Sequence, residues 1–158
     1  MIQPGRKLDL NLRLDAVREG RIERLAVGEL VQRRAVLSVH MRNNTPGCDR
    51  QNLVLAERAK EFARAGYDLI GVSRDSAKAH AKYALAKKIP FPLVSDPEDK
   101  LAGATGSLIE KSMYGRKFFG PARAAFVVEK DGTVLAVVEK IVPADAADQV
   151  WAAIANLP

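Results

Sequence analysis

The feature that most constrains the fold is a buried strand followed by a helix, a pattern that occurs twice in succession. Residues 35–41, AVLSVHM, are a compact and partly β-branched apolar run, which is typical of a strand buried on both faces. After a break at residues 45–47, apolar side chains recur at helical spacing as far as Gly66. A second buried strand at 68–73 and a second helix follow at once. This alternation predicts a parallel sheet with right-handed crossovers.

The second helix has recognisable ends. It covers AKAHAKYALAKK, residues 77–88, and either Asp75 or Ser76 is placed to cap its first turn. Its C-terminal lysines suit the negative end of the helix dipole. Beyond it, residues 91–96 predict a short extended segment and residues 100–106 predict a short helix.

Further strand patterns flank this central unit. Residues 8–15, LDLNLRLD, alternate apolar and polar side chains, which predicts a half-buried strand with its leucines on one face. Gly20 then predicts a turn into a short partner strand. Residues 122–129 and 133–142 predict a hairpin, because an Asp-Gly turn lies between them.

The last segment completes the fold prediction. Residues 145–157 predict an amphipathic helix with Val150, Ile154 and Leu157 on its inner side. A βαβ unit followed by a β-hairpin and a final helix is the thioredoxin-like arrangement. We therefore predict an α/β protein with a mixed central sheet and helices on both faces, formed by a single domain over residues 1–158.

Composition narrows the class of protein. No apolar run reaches the length of a membrane span, and the first residues, MIQPGRK, lack the apolar core of a signal peptide. The net charge is +6, but basic residues are interspersed with acidic ones, so we expect a solvated basic surface and no nucleic-acid partner. One cysteine cannot form an internal disulfide, which fits a reducing compartment. We expect a cytoplasmic protein that does not bind membranes.

That one cysteine, Cys48, follows Thr45-Pro46-Gly47 at the start of the first helix. The first turn of a helix offers unpaired N–H groups and a positive dipole end, and both stabilise a thiolate. Functional groups of open α/β sheets also gather beyond the carboxyl ends of the strands. A buried, inert cysteine is the alternative, but a tight backbone bend is an unusual place for a core side chain. The position favours a reactive thiol.

The residue at position 45 limits the kind of reactivity. A disulfide oxidoreductase of the thioredoxin type needs Cys-x-x-Cys, and here Thr45 stands in the first position. A hydroxyl cannot form a disulfide, but it can donate to and accept from a small oxygen-containing ligand beside the sulfur. The pattern therefore indicates attack on an oxygen-containing substrate.

Four segments of the chain resemble the peroxiredoxins of the Q type, also called bacterioferritin comigratory proteins: NNTPGC, GVSRDSAKAHAKYALAKKIPFPLVSDPEDKLAGATG, MYGRKFFGPAR and FVVEKDGTV. The similarity runs from about residue 35 to the C-terminus. The resemblance implies a thioredoxin fold, no cofactor, and reduction of hydrogen peroxide and organic hydroperoxides. It also implies an external thiol as reductant, either thioredoxin, glutaredoxin or a low-molecular-weight thiol, and a monomer or homodimer.

The resemblance assigns roles to particular residues. Cys48 takes the place of the peroxidatic cysteine, and Thr45 that of the threonine in the Thr-x-x-Cys motif. Gln51 matches a polar residue three places after the cysteine, and Gly47 precedes the cysteine in the motif. Arg123 matches the arginine that the family brings to the sulfur from a distant strand, where its charge and paired donors suit a thiolate and a peroxide.

Three positions depart from the family pattern. Met41 stands where the motif has a proline, and it can supply apolar cover for the sulfur. His40 replaces the usual aromatic residue, and we expect a packed, hydrogen-bonded histidine, the alternative being a base near the site. Leu53 occupies the position where many relatives carry a resolving cysteine.

The other residues singled out have either a structural role or a role that the sequence leaves open. We expect packing for His80, and the spacing of the two histidines and Cys48 does not predict a metal site. Tyr114, Phe118 and Phe119 line either a pocket wall or a dimer face. The alternative to an enzyme is a degenerate thioredoxin-like protein that binds a partner or senses oxidants without efficient turnover.

Overall fold

The computed structural model describes residues 1–158 and contains nine strands and five α-helices. The strands are β1 (Arg13–Arg18), β2 (Arg21–Ala26), β3 (Ala35–Val39), β4 (Asp68–Ser73), β5 (Leu93–Ser95), β6 (Leu108–Met113), β7 (Arg116–Pro121), β8 (Ala124–Val128) and β9 (Val134–Val138). The helices are α1 (Pro46–Glu57), α2 (Ala59–Arg64), α3 (Ala77–Lys87), α4 (Lys100–Thr105) and α5 (Ala146–Ala155). No helix is both long and apolar enough to cross a membrane.

Seven of the strands form one mixed sheet in the order β2-β1-β5-β4-β3-β8-β9. Strands β5, β4 and β3 run parallel in its centre, while β1 and β8 join them antiparallel. This arrangement confirms the predicted fold class, including the hairpin of β8 and β9 and the hairpin of β1 and β2 around Gly20.

The central strand β3 is buried on both faces, as its apolar composition predicts. Val36 packs into a cluster with Leu55, Phe62 and Val150 from α1, α2 and α5. Leu37 points to the opposite face, where Leu101 of α4 belongs to a second cluster. The sheet therefore separates two cores, and the end of β3 lies between them.

The first predicted helix is divided in two. Arg58 leaves helical geometry (φ −111°, ψ 10°) between α1 and α2, and its guanidinium pairs with Glu61 and with Asp148 of α5. In the next crossover the cap of α3 is Ser76, whose hydroxyl accepts the N–H of Ala79.

The strand predicted over residues 8–15 is wrong for its first half. Strand β1 begins only at Arg13, because the Asp9 carboxylate accepts the N–H of Asn11 and turns the chain there. Leu8, Leu10 and Leu12 nevertheless contribute to one core, either buried or partly buried. Alternating burial alone therefore does not require pairing into a sheet.

A hairpin formed by β6 and β7 is absent from the sequence prediction. It is a separate two-stranded sheet that turns at Tyr114 and Gly115, whose φ values are +52° and +76°. Most of its side chains are exposed on both faces, so its sequence lacks the alternation that identifies half-buried strands. The hairpin lies beside the end of β3 and supplies side chains to the cleft described below.

Candidate active site

Cys48 is the third residue of α1, after Pro46 and Gly47. The proline suits the first helical position, because its missing N–H has no partner there in any helix. The Cys48 side chain is almost fully buried at the end of β3, with 1% of its surface exposed. The thiol therefore lies between the end of strand β3 and the positive, N-terminal end of helix α1.

The surroundings of Cys48 favour its ionised form. The largest single influence, burial, raises the pKa of Cys48, but several groups together outweigh it and leave the pKa below its ordinary value. They are the backbone of Arg42, the Thr45 hydroxyl, the backbone of Met41 and the charge of Arg123. Hydrogen bonds and a cation therefore stabilise the thiolate in a site that excludes most water.

Thr45 lies at the N-cap of α1, directly beside the thiol. Its hydroxyl donates to the carbonyl oxygen of Arg42 at 2.8 Å. A hydroxyl carries one proton and rotates freely about its C–O bond, so the same group can turn its proton toward the sulfur or toward a bound oxygen. This adjustable donor is suited to a ligand that changes its charge during a reaction.

Arg123 reaches Cys48 from the residue immediately before β8. Its Nη1 donates to Cys48 Sγ at 3.5 Å and to Gln51 Oε1 at 3.0 Å. The Gln51 amide is fully buried, and its Nε2 donates to Ser38 Oγ at 2.8 Å and to the Val39 carbonyl at 3.1 Å. Those two bonds fix the amide with its oxygen toward the guanidinium, so Gln51 positions Arg123.

Gly47 makes the approach of Arg123 possible. A Cβ atom at this position would lie 2.9 Å from Nη2 of Arg123 and 3.4 Å from its Cζ. The backbone of Gly47 does not have a positive φ, so other residues can adopt its conformation. The glycine is therefore required by space beside the guanidinium and not by a strained turn.

His40 belongs to a buried hydrogen-bond network that involves the loop between β3 and α1. Its Nε2 donates to Asn43 Oδ1 at 2.7 Å, and Asn43 Nδ2 donates to His80 Nδ1 at 3.0 Å. His80 in turn donates through Nε2 to the Val94 carbonyl at 3.1 Å. Burial lowers the pKa of both histidines, to about 4 for His80, so both rings are neutral.

His40 makes no hydrogen bond to Cys48, Thr45 or Arg123, which matches a packed histidine better than a base at the site. Asn43, which the sequence analysis did not single out, is the centre of this network. Its backbone N–H also donates to the Asp75 carboxylate at 3.0 Å. The network connects the loop before α1 to α3, to β5 and to Asp75 between β4 and α3, and so holds the loop that carries Thr45.

Met41 is half-buried and lies in an open cleft of about 530 Å³ beside the thiol. Its sulfur accepts a hydrogen bond from Lys111 Nζ at 2.9 Å. The backbone of Met41 and of Arg42 hydrogen-bonds with Cys48, and both residues also line the cleft, so the cleft lies next to the thiol although Cys48 is not among its lining residues. The residues that line it are Met41, Arg42, Arg74, Asp75, Lys111, Met113, Phe118, Gly120 and Pro121.

Lys111 is a further site residue that sequence reasoning missed, because it lies on the unpredicted β6–β7 hairpin.

The sequence left open whether three aromatic residues line a pocket. Only Phe118 lines the cleft, while Tyr114 and Phe119 are 97% and 66% exposed. No group of three or more His, Cys, Asp or Glu side chains that could hold a metal ion occurs in the structure.

Comparison with known proteins shows the family of this chain. The AhpC/TSA family matches residues 10–137 of the chain. Peroxiredoxin Bcp of Xanthomonas campestris is 36% identical over 119 residues, which is 75% of this chain and 74% of that protein.

Two solved structures from Xanthomonas campestris also match this chain. The bacterioferritin comigratory protein of Xanthomonas campestris, studied in trapped intermediate and ligand complexes, superposes with a TM-score of 0.85 at 29% identity, over 97% of this chain and 98% of that one. A cysteine-to-serine mutant of Xanthomonas campestris peroxiredoxin Q superposes with a TM-score of 0.83 at 30% identity, over 92% of this chain and 90% of that one. The chain therefore belongs to the AhpC/TSA family, as a peroxiredoxin of the Bcp or Q type.

Proposed function

We propose that this peroxiredoxin acts through Cys48 as its peroxide-reactive cysteine, with Arg123 and Thr45 in contact with the reacting atoms. The observation that supports this assignment is the Nη1 atom of Arg123, which contacts both Cys48 Sγ and Gln51 Oε1. The chain is a thiol peroxidase that reduces hydroperoxides and is recycled by a thiol. Organic hydroperoxides are included in the proposal because the Xanthomonas bacterioferritin comigratory protein is described for alkyl peroxide reduction.

The proposed reaction begins at the Cys48 sulfur. The Cys48 thiolate attacks the terminal oxygen of the hydroperoxide, so an S–O bond forms while the O–O bond breaks. The electron pair of the broken bond goes to the leaving oxygen, which takes a proton and departs as water or an alcohol. Cys48 becomes a sulfenic acid, and an external thiol returns it to the thiolate.

Ionisation alone supplies a limited part of the acceleration. An ordinary cysteine with a pKa near 8.5 is about 3% ionised at pH 7, so complete ionisation gains at most about thirty-fold. Any larger effect must act on the charge that develops as the O–O bond breaks. Arg123 carries a fixed charge with several donors, and the Thr45 hydroxyl can reorient, so these two side chains are placed to stabilise that charge.

The alternative of a non-catalytic binding or sensing protein is not favoured, since the relatives are peroxiredoxins over most of the chain. Cys48 is the one cysteine, so no intramolecular disulfide can form and the reductant must come from outside the chain. Thioredoxin, glutaredoxin and a small thiol remain candidates for that reductant. The monomeric or dimeric state, the single-domain organisation and the cytoplasmic location stay predictions.

Peroxide consumption tests the role of Cys48 directly. With excess dithiothreitol, the purified protein should consume hydrogen peroxide and Cys48→Ser should not, because the substitution removes the nucleophile. One equivalent of peroxide followed by dimedone should add one label per chain, measured by intact mass. An unlabelled and unmodified Cys48 after prolonged exposure to excess peroxide would show that the thiol is inert.

The pH dependence separates ionisation from positioning. Because the pKa of Cys48 is lowered, alkylation by iodoacetamide should persist to lower pH than for free cysteine and decline only as pH falls through that pKa. Arg123→Lys keeps the positive charge but loses the planar set of donors, so the rate with peroxide should fall at least about ten-fold while the alkylation midpoint moves little. A variant that reacts with peroxide as fast as the wild type would remove Arg123 from the site.

Gly47→Ala tests the space beside the guanidinium. The added methyl group would lie 2.9 Å from Arg123 Nη2, so the guanidinium must shift away from the sulfur. We expect about a ten- to hundred-fold loss in the rate with peroxide, as for other small misplacements of catalytic groups. Thermal unfolding should show a folded protein, because alanine suits a helix.

The matched control for this variant is Gly103→Ala in α4. A Cβ atom there meets no other atom within 4 Å, so the same change should leave the rate with peroxide unaltered. Equal rates for Gly47→Ala and the wild type would contradict the proposed placement of Arg123.

A further inference from the structure

We propose that Lys111 and Arg42 form an anion subsite in the cleft beside Cys48, and that this subsite binds the carboxylate of a small thiol that reduces oxidised Cys48. The inference rests on the proposed function, since it concerns the second half of the same reaction. It identifies the reductant by its chemistry, as a low-molecular-weight thiol that carries a negative charge.

Lys111 is a cation without a counter-ion. Its Nζ donates to Met41 Sδ at 2.9 Å and to the Pro121 carbonyl at 2.7 Å, and neither acceptor carries a charge. An ammonium group has three N–H donors, so one of them remains for a ligand. The hydrogen bonds to Met41 and Pro121 hold the Lys111 ammonium in one position at the wall of the cleft.

Arg42 supplies a second free cation. Its side chain is exposed and lines the same cleft, while its backbone faces the Cys48 sulfur. The other charged groups of the cleft already have hydrogen-bond partners, although only Arg74 has a partner of opposite charge. Arg74 pairs with Asp99 through two hydrogen bonds, and the Asp75 carboxylate accepts from the Ser73 hydroxyl and from a backbone N–H. Lys111 and Arg42 are therefore the two cations of the cleft without a charged partner, and Asp75, which keeps its negative charge, is the one carboxylate among the lining residues.

Oxidation of Cys48 makes the charge around the cleft more positive. Before peroxide arrives, the Cys48 thiolate offsets the charge of Arg123, and the thiolate acts on Lys111 as well. Burial, Arg74 and Arg123 lower the pKa of Lys111, whereas Cys48 raises it. A protonated sulfenic acid carries no charge, so oxidation removes the negative charge of Cys48 from the surroundings of Lys111 and Arg123. Attraction of an anion increases when a reductant is needed.

The shape of the site also favours a small reductant. Cys48 is 1% exposed, so a large reductant has little access to its sulfur, whereas the cleft lined by the neighbouring residues Met41 and Arg42 has room for a small thiol. The thiol sulfur forms an S–S bond with Cys48 as the S–O bond of the sulfenic acid breaks, and the released oxygen leaves as water. A second thiol then attacks the external sulfur, which frees the Cys48 thiolate and releases the external thiol as a disulfide.

Matched thiols and matched variants test the subsite. Cys48 is oxidised with one equivalent of hydrogen peroxide and then reduced by mercaptopropionate or by neutral mercaptoethanol, compared at equal thiolate concentration. Lys111→Gln should slow mercaptopropionate by about three- to ten-fold relative to mercaptoethanol, the size expected for one partly buried charge pair. The control is Lys117→Gln on the opposite face of the same hairpin, where Lys117 pairs with Glu110, and its ratio should equal that of the wild type.

A second assay keeps the subsite testable without peroxide chemistry. The Cys48 thiolate is reacted with dithiodipropionate and with neutral hydroxyethyl disulfide, and Lys111→Gln should again slow only the charged reagent. A wild-type protein that peroxide fails to oxidise would contradict the proposed function, and this exchange would then decide the subsite by itself. Equal ratios in the wild type and Lys111→Gln in both assays would overturn the subsite.

Discussion

The contact of the Arg123 guanidinium with Cys48 Sγ is the interaction on which the rest of the site depends. The two residues are 75 positions apart, and the sheet brings them together. Strand β8 pairs antiparallel with β3 so that Ala124 lies opposite Val39, the last residue of β3. Arg123 therefore arrives where β3 ends and the loop to α1 begins. A slip of one residue in that pairing would move the guanidinium away from the sulfur.

The surrounding residues hold that contact in place. Gln51 is fixed by bonds to β3 and presents its oxygen to Arg123, while Gly47 leaves the space that the guanidinium occupies. The loop before α1 is held separately, through Asn43 and the two neutral histidines. Charge, space and loop geometry are thus supplied by different parts of the chain. The cleft lined by Met41 and Lys111 lies next to this otherwise buried arrangement.

The parts of the fold that were predicted correctly are those marked by a local sequence pattern. The alternation of buried strands and helices predicted β3, α1, β4 and α3, and an Asp-Gly turn predicted the last hairpin. Arg123 was placed at the site only by resemblance, because strand register depends on pairings that no local pattern reveals. The β6–β7 hairpin and Lys111 were missed, since side chains exposed on both faces carry no periodic signal. Asn43 was missed because its role arises from contacts with distant residues.

A double-mutant cycle tests most directly whether Gln51 contributes by positioning Arg123. The second-order rate constant of Cys48 with hydrogen peroxide is measured in single turnover for Gln51→Leu, Arg123→Ala and the double variant, each verified as folded. If Gln51 acts through Arg123, the double variant should react within about two-fold of Arg123→Ala, because the contact it would orient is already gone. Losses that multiply in the double variant, or a Gln51→Leu variant as fast as the wild type, would contradict the central role of this contact.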